Sequence, residues 1–152
     1  MKIMLITTLY PGYVGQSRKE ISYALHYFVK DWVESGYEVR VIKISPRYPK
    51  IFNFSGKNKI HSSVENFQLE GVNISRIDIN KIPKIDYLNA DINQSFEKIN
   101  RIIKKEYMPD VIVSHMINPN IYIANKIKDE HNIPVILTLH QTDLKNLNNY
   151  PK

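Results

Sequence analysis

Apolar and polar segments alternate along the chain in a way that predicts strands and helices following one another in turn. Four short, predominantly apolar runs are typical of strands buried in a parallel sheet: Lys2–Thr8, Glu38–Ile44, Asp110–His115 and Pro134–His140. Apolar residues recur at helical spacing in three segments between strands: Ser17–Ser35, Ala90–Glu106 and Pro119–His131. A hairpin-like pair is predicted on either side of Glu70-Gly71, over Val64–Leu69 and Val72–Ile79.

The first helix has sequence signals at both of its ends. Ser17 and Glu20 have the spacing of a capping box, which predicts that the helix begins at Ser17. Gly36 is placed to end the helix in a left-handed conformation. With the strands on either side, this helix forms a βαβ unit with a right-handed crossover. The whole pattern predicts a Rossmann-like, doubly wound α/β fold with a mainly parallel sheet and helices on both faces.

The composition narrows the classes of protein to consider. The chain has 152 residues, the size of one domain, and it contains no cysteine. Disulfides, thiolate metal sites and a cysteine nucleophile are therefore excluded. No apolar run approaches the roughly 20 residues that span a bilayer, and the run after Lys2 is too short for a secretory signal. We therefore expect a cytoplasmic protein.

The net charge of +6 favours partners that carry phosphate groups. The basic residues are scattered, without an arginine-rich helix or an alternation of aromatic and basic residues, so nucleic acid is not an expected partner. Lysines and aromatic residues mix in the segment Arg47–Lys59, which favours a peripheral contact with the inner face of the membrane. A surface loop with ordinary aromatic anchors is the alternative interpretation of that segment.

Residues capable of binding or catalysis cluster where the predicted strands end. Ligands of open α/β sheets bind outside the carboxyl ends of the parallel strands, so the loops that follow these strands define the candidate site. The loops carry two glycines, two histidines, a glutamine, an arginine, an asparagine and an aspartate: Gly12, Gly15, Gln16, Arg47, His115, Asn118, His140 and Asp143.

Each polar residue of these loops has a functional and a structural interpretation. A histidine at the end of a buried strand, such as His140, can donate to a sugar hydroxyl or act beside a developing charge. It can equally be a polar residue whose hydrogen bonds are satisfied at the strand end, and His115 has the same two interpretations. Asp143 is placed either to cap a following helix or to contact a hydroxyl.

The common cofactor motifs are missing from the sequence. Gly12 and Gly15 do not form the GxGxxG dinucleotide fingerprint, and no GxxxxGK[ST] phosphate loop occurs. His115 and His140 have no evident third ligand, and the sequence contains no HExxH motif. We therefore predict neither a metal site nor a bound cofactor.

Several segments, taken in chain order, resemble the N-terminal domain of family-4 type glycosyltransferases, which have the GT-B fold. KIMLITTLYPGYVG looks like the first strand of that family with its proline-glycine loop, and SGYEV is similar to the turn into its second strand. Later strands of the family resemble EGVNISRI, PDVIVSHM and IPVILTLHQTD. The chain departs from the pattern in its first loop, where Gly15-Gln16-Ser17 replaces paired glycines and a glutamate, and at Gln141, which replaces a glycine.

The resemblance implies a metal-free enzyme that transfers a sugar from a nucleotide-sugar donor to a glycan or lipid-linked acceptor, with retention of configuration, in bacterial polysaccharide biosynthesis. Residues 1–152 would be the acceptor-side domain, inactive alone, and a separate C-terminal domain would bind the nucleotide sugar. By motif match, His140 would lie at the transferred sugar as the catalytic candidate, and Gly15 would line the cleft. Two alternatives stay open: a stand-alone α/β binding or regulatory module, and a nucleotide-sugar epimerase-type domain.

Overall fold

The computed structural model describes residues 1–19, 21–49 and 65–145, apart from the side chain of Thr142. Strands and helices alternate through most of these residues, as the sequence predicts. In chain order the elements are β1 (Lys2–Thr7), α1 (Ala24–Glu34), β2 (Glu38–Arg47), β3 (Asn66–Leu69), β4 (Val72–Asn80), α2 (Asn89–Lys105), β5 (Val111–His115), α3 (Asn120–His131), β6 (Val135–Thr138) and α4 (Gln141–Lys145).

The strands form one sheet in the order β3-β4-β2-β1-β5-β6. Every neighbouring pair is parallel except β3 and β4, which form the predicted antiparallel hairpin. Glu70 and Gly71 both have a positive φ, as a tight hairpin turn requires. The chain winds from β1 towards β3 and then from β5 towards β6, so the winding reverses beside β1. In open α/β sheets, ligands bind at the point where the winding reverses. The strand order and directions confirm the predicted, mainly parallel α/β fold.

The sheet separates two apolar layers. On one face, α2 and α3 pack on a cluster of buried residues that includes Ile6, Ile42, Ile99, Ile112 and Ile127. On the other face, α1 packs on a cluster that includes Leu5, Val29, Val41 and Ile74. Because successive side chains of a strand point to opposite faces, the central strands serve both layers, and this explains why they are apolar almost throughout.

Helix α1 begins at Ala24, well after Ser17, so the start predicted from the capping-box pattern is wrong. The residues before it form turns instead. The Ser17 hydroxyl accepts a hydrogen bond from a nearby backbone amide, and the Tyr23 hydroxyl donates one to the Gln16 carbonyl at 2.8 Å. Such local side-chain bonds compete with helix formation. At the other end, Gly36 has a φ of 85°, the left-handed conformation predicted for it.

The face that α1 turns towards the sheet also differs from a simple apolar stripe. His26 and Val29 are buried, whereas Phe28 is 63% exposed. His26 fits the interior because its Nδ1 lies 2.7 Å from the hydroxyl of the buried Tyr10. Burial lowers the pKa of His26, which favours the neutral imidazole. This polar pair ties α1 to the loop after β1, a contact that helical periodicity does not predict.

Strand β6 is parallel to β5, as predicted, but it is not the buried strand that the run Pro134–His140 suggests. It ends at Thr138 and lies at the edge of the sheet, where Ile136 is 54% exposed. Helix α3 packs near β6, while α1 packs against β2 and β4. An apolar run does not reveal whether its strand will be central or at an edge, because that depends on the strand order.

None of the helices in the described ranges combines the length and the apolar character needed to cross a bilayer. The segment Arg47–Lys59, for which the sequence predicts a membrane contact, lies mostly outside the described residues. Its first residue, Arg47, ends β2 and pairs with Asp78 on β4. The membrane contact therefore stays a prediction.

Candidate active site

A row of polar side chains crosses the sheet at the level where β1, β5 and β6 end, while β2 and β4 continue past it. Five residues stand in register on neighbouring strands from β4 to β6: Arg76, Lys43, Thr7, His115 and Thr138. Two residues earlier on each strand, the same face is apolar: Ile74, Val41, Leu5, Val113 and Ile136. Because in-register residues of parallel strands share a face, the five polar residues all lie on the α1 side. On β1, β5 and β6 this polar row therefore stands at the edge where α/β sheets bind ligands.

His115 and His140 contact each other at the β5–β6 end of the polar row. Their Nε2 atoms are 2.7 Å apart, and their rings meet edge to face with centroids 4.6 Å apart. The Nδ1 atom of His115 lies 3.1 Å from the Thr7 hydroxyl oxygen. In the described parts of the chain, no three histidine, aspartate or glutamate side chains are grouped as metal ligands would be. The two histidines that the sequence brings to one edge thus form a hydrogen-bonded histidine pair.

Burial keeps His115 neutral at physiological pH. The residue is only 7% exposed, and this desolvation lowers its pKa from 6.5 to about 4, with the neighbouring His140 adding to the decrease. The Asp143 carboxylate raises the pKa but does not offset these effects. A neutral imidazole has one N–H group and one bare nitrogen, so His115 can donate one hydrogen bond and accept another.

Asp143 holds the loops after β5 and β6 together. It is 2% exposed, and its two carboxylate oxygens accept from the backbone amides of His140 at 2.9 Å and Ile117 at 3.4 Å. His140 directly precedes α4, and an acidic residue three positions later that binds its amide is half of a capping box. These contacts fit the capping interpretation of Asp143, and a contact with a substrate hydroxyl stays a prediction.

The two asparagines after β5 have different partners. Asn120 is fully buried, and its side-chain amide donates to the His115 carbonyl at 2.6 Å. Asn118, which the sequence predicts as a binding residue, donates instead to the Asp86 carboxylate. A substrate contact by Asn118 stays a prediction. Asn120 is not among the residues predicted from the sequence, although its place at the start of a helix that follows a strand-end histidine is a signal for such a role.

The loop after β1 lies over the other half of the polar row. The Gln16 side chain accepts from the Gly12 amide at 2.7 Å and closes the loop on itself. Arg76 donates to the Gly12 carbonyl at 3.2 Å, and Lys43 donates to the Thr8 carbonyl. Two cations of the polar row therefore hold the backbone of this loop in place.

Gly15 occupies the open side of the same loop. Its φ is 85°, a left-handed conformation that strains any residue with a Cβ, and the space where a Cβ would stand is empty. Together with Gly12 and Gln16, it follows β1 at the edge that carries the histidine pair, as the sequence predicts. Substrate contacts by these three residues stay predictions.

The β2–β4 end of the polar row has a surplus of positive charge. Lys43, Arg47 and Arg76 gather there with one carboxylate, Asp78, which pairs with Arg47 and lies 3.6 Å from Arg76. Three cations and one anion leave a formal charge of +2 on these four residues. Such a concentration of positive charge attracts anions, phosphates among them. In the sequence these basic residues look scattered, and it is the strand register that brings them together.

An apolar groove begins at the histidine pair. It has a volume of about 450 Å³ and lies between α1 and the part of the sheet formed by β1, β5 and β6. His115, Thr138 and His140 stand at its polar end. Apart from Ser22, the rest of its lining is apolar and includes Leu5, Leu25, Phe28, Trp32, Val113 and Ile136. The groove continues the exposed face of β6, which α1 does not cover.

We predict that Lys43→Met raises the stability of the domain at neutral pH. Burial lowers the pKa of Lys43 from 10.5 to about 8, a shift that corresponds to roughly 3 kcal/mol of destabilisation of the charged form. The lost bond to the Thr8 carbonyl offsets part of this gain, so the free energy of unfolding should rise by about 2 kcal/mol.

Urea unfolding at several pH values tests this prediction. The unfolded chain keeps Lys43 protonated up to a higher pH than the folded domain does, so the stability of the wild type rises as the pH increases from about 8 towards the unfolded value. The difference between the variant and the wild type should shrink over the same range. A variant that is less stable than the wild type at pH 7 would contradict the prediction.

Most of the candidate site lies within a match to a known protein family. A search of curated proteins gives no match. The model of Glycosyltransferase Family 4 matches residues 21–152, a range that includes His115, Asn118, His140 and Asp143. The loop residues Gly12, Gly15 and Gln16 precede this range. The match covers well over half of the sequence, and the Rossmann-like sheet is the architecture of the N-terminal half of a GT-B fold. The chain therefore belongs to glycosyltransferase family 4.

Proposed function

We propose that this domain is the acceptor-side half of a glycosyltransferase that moves a sugar from a nucleotide-sugar donor to a glycan or lipid-linked acceptor, in bacterial polysaccharide biosynthesis. The observation that carries the proposal is the histidine pair, which stands at the strand ends beside a cationic cluster in a chain of glycosyltransferase family 4. A second, C-terminal domain binds most of the nucleotide sugar and closes over this edge.

His140 is the residue assigned to the transferred sugar. It can donate a hydrogen bond to a sugar hydroxyl, or interact with charge that develops at the reacting carbon. The cationic end of the polar row supports the same assignment, because a departing nucleoside diphosphate is an anion and positive charge stabilises it. Transfer then needs no metal, and in this proposal it retains the configuration of the sugar.

The apolar groove supports the lipid-linked class of acceptor. It starts at the histidine pair, so an acceptor whose reacting hydroxyl lies at His140 can place an apolar portion along Leu25 and Trp32. Tyr27 and Phe28 are exposed on α1, and the Arg18 guanidinium lies over the Tyr27 ring at 5.7 Å. Exposed aromatic rings beside a cation suit a membrane interface, which supports a peripheral location at the inner face of the membrane.

A transfer assay tests the proposed function. A polypeptide that joins this domain to a nucleotide-sugar-binding domain is incubated with several nucleotide sugars and with lipid-linked and free glycan acceptors. We expect acceptor-dependent product from that polypeptide and none from the 152-residue chain alone. Turnover by the isolated chain would contradict the division into two domains.

The two alternative functions give different outcomes in the same assay. Ligand binding without turnover in every combination would favour a stand-alone binding or regulatory module. Conversion of the nucleotide sugar without any acceptor would favour the epimerase-type domain. Either result would overturn the glycosyltransferase proposal.

A further inference from the structure

A chain of hydrogen bonds runs from the backbone after β1 to His140. The Leu9 amide donates to the Thr7 hydroxyl oxygen at 2.9 Å. The same oxygen lies 3.1 Å from Nδ1 of His115, and the Nε2 of His115 lies 2.7 Å from the Nε2 of His140. Four groups in sequence are therefore connected, and each connection needs one proton.

The position of the first proton follows from the partners of Thr7. A hydroxyl has one O–H donor, and the Thr7 oxygen already accepts from Leu9. Thr7 is completely buried, so water cannot take its proton. Among the described residues, the acceptor within hydrogen-bonding distance of this O–H is Nδ1 of His115. The Thr7 hydroxyl therefore donates to Nδ1, and this nitrogen carries no proton.

The remaining protons follow from the first. A neutral His115 whose Nδ1 is bare has its proton on Nε2, and burial keeps this histidine neutral at physiological pH. Its Nε2–H then points at the Nε2 of His140, which must accept. A neutral His140 consequently has its proton on Nδ1.

The geometry points to Thr7 and His115 as positioning residues that fix His140 in the tautomer with its proton on Nδ1, so that this nitrogen is the donor His140 presents to a substrate. The role of His140 towards a sugar rests on the proposed function, but the tautomer itself does not. Two backbone anchors support the arrangement, because Asn120 holds the His115 carbonyl and Asp143 holds the His140 amide.

The tautomers can be measured directly by long-range ¹H–¹⁵N NMR of the ¹⁵N-labelled 152-residue chain at pH 7. The histidine signals are assigned with single His→Gln variants. We expect His140 to show a protonated Nδ1 and a bare Nε2, and His115 to show the reverse. A protonated Nε2 on His140 would overturn the inference.

Substitution of Thr7 tests the cause of the preference. Thr7→Val keeps the shape of the side chain but removes the hydroxyl, and it should reduce the tautomer preference of both histidines by about fivefold, the factor that one ordinary buried hydrogen bond supplies. Thr7→Ser keeps a hydroxyl and should retain the wild-type pattern, which covers the case in which Thr7→Val does not fold.

The matched control is Thr138→Val, since Thr138 belongs to the same polar row but its hydroxyl donates to the Ser114 carbonyl instead. This variant should leave both tautomers unchanged. Equal spectra for Thr7→Val and the wild type would overturn the role of Thr7. Because no sugar or nucleotide enters the experiment, its failure is separate from a failure of the transfer assay.

Discussion

Replacing His140 by alanine is expected to lower the rate of sugar transfer by roughly a hundredfold, the low end of what one well-placed acid–base group contributes. The imidazole stands at the open end of the histidine pair, and its position is fixed through Nε2 and through its backbone amide. If it contacts the transferred sugar in the transition state, the loss should appear mainly in kcat, with a smaller change in KM. Initial rates over a range of donor concentrations, measured with the two-domain polypeptide, provide the test.

His131→Ala is the matched control for this experiment. His131 is also a partly buried histidine with a hydrogen bond of 2.7 Å, in this case to Asn100. It lies at the C-terminal end of α3, away from the strand ends that carry the polar row. The control should retain the wild-type rate. Equal rates for His140→Ala and His131→Ala would show that His140 does not contribute to sugar transfer.

Replacing Ile112 by alanine is expected to lower the free energy of unfolding of the 152-residue chain by about 3 kcal/mol, as is usual for a large aliphatic side chain in a packed core. Ile112 lies on β5 and is fully buried in the layer beneath α2 and α3. Removing its side chain leaves a cavity that the central strand cannot close. Urea unfolding measures the loss.

Ile136→Ala is the comparison for the core substitution. Ile136 is the same residue type on the neighbouring strand β6, but it is 54% exposed. Its replacement should lower the free energy of unfolding by less than about 1 kcal/mol, because folding buries little apolar surface at this position. Equal losses for the two variants would mean that β6 is buried in solution, as the apolar pattern of its sequence suggests.

The sequence predicts the arrangement of this sheet better than it predicts the environment of each element. Apolar runs joined by helical segments are sufficient to indicate parallel strands, and the rule for their carboxyl ends places His115 and His140 at one edge. The exposure of β6 follows from its position in the strand order, and no local sequence pattern predicts that position. The late start of α1 depends on Tyr23 reaching the Gln16 carbonyl, a contact that a capping-box match at Ser17 does not anticipate.

The residues that support the site show a second limit of what can be predicted from the sequence. Thr7, Lys43 and Arg76 are single polar residues within or at the end of apolar strands, and each one alone looks like an ordinary interruption. Their relation becomes visible only in the register of the folded sheet, where the three fall on one row. Thr7 ends β1, whereas β2 and β4 continue past Lys43 and Arg76. A search for polar residues at strand ends would therefore not have grouped the three from the sequence.

The polar row also constrains how the strands can be aligned during folding. If β2 slipped by one residue against β1, Lys43 would point into the layer of Ile6 and Ile99, and Ile42 or Ile44 would take its place beside Thr7. An unpaired ammonium group in that layer would cost several kcal/mol. The buried cation of the polar row thus penalises misaligned sheets. Lys43→Met, which we expect to stabilise the native state, should therefore also lower the energetic cost of wrong strand pairings.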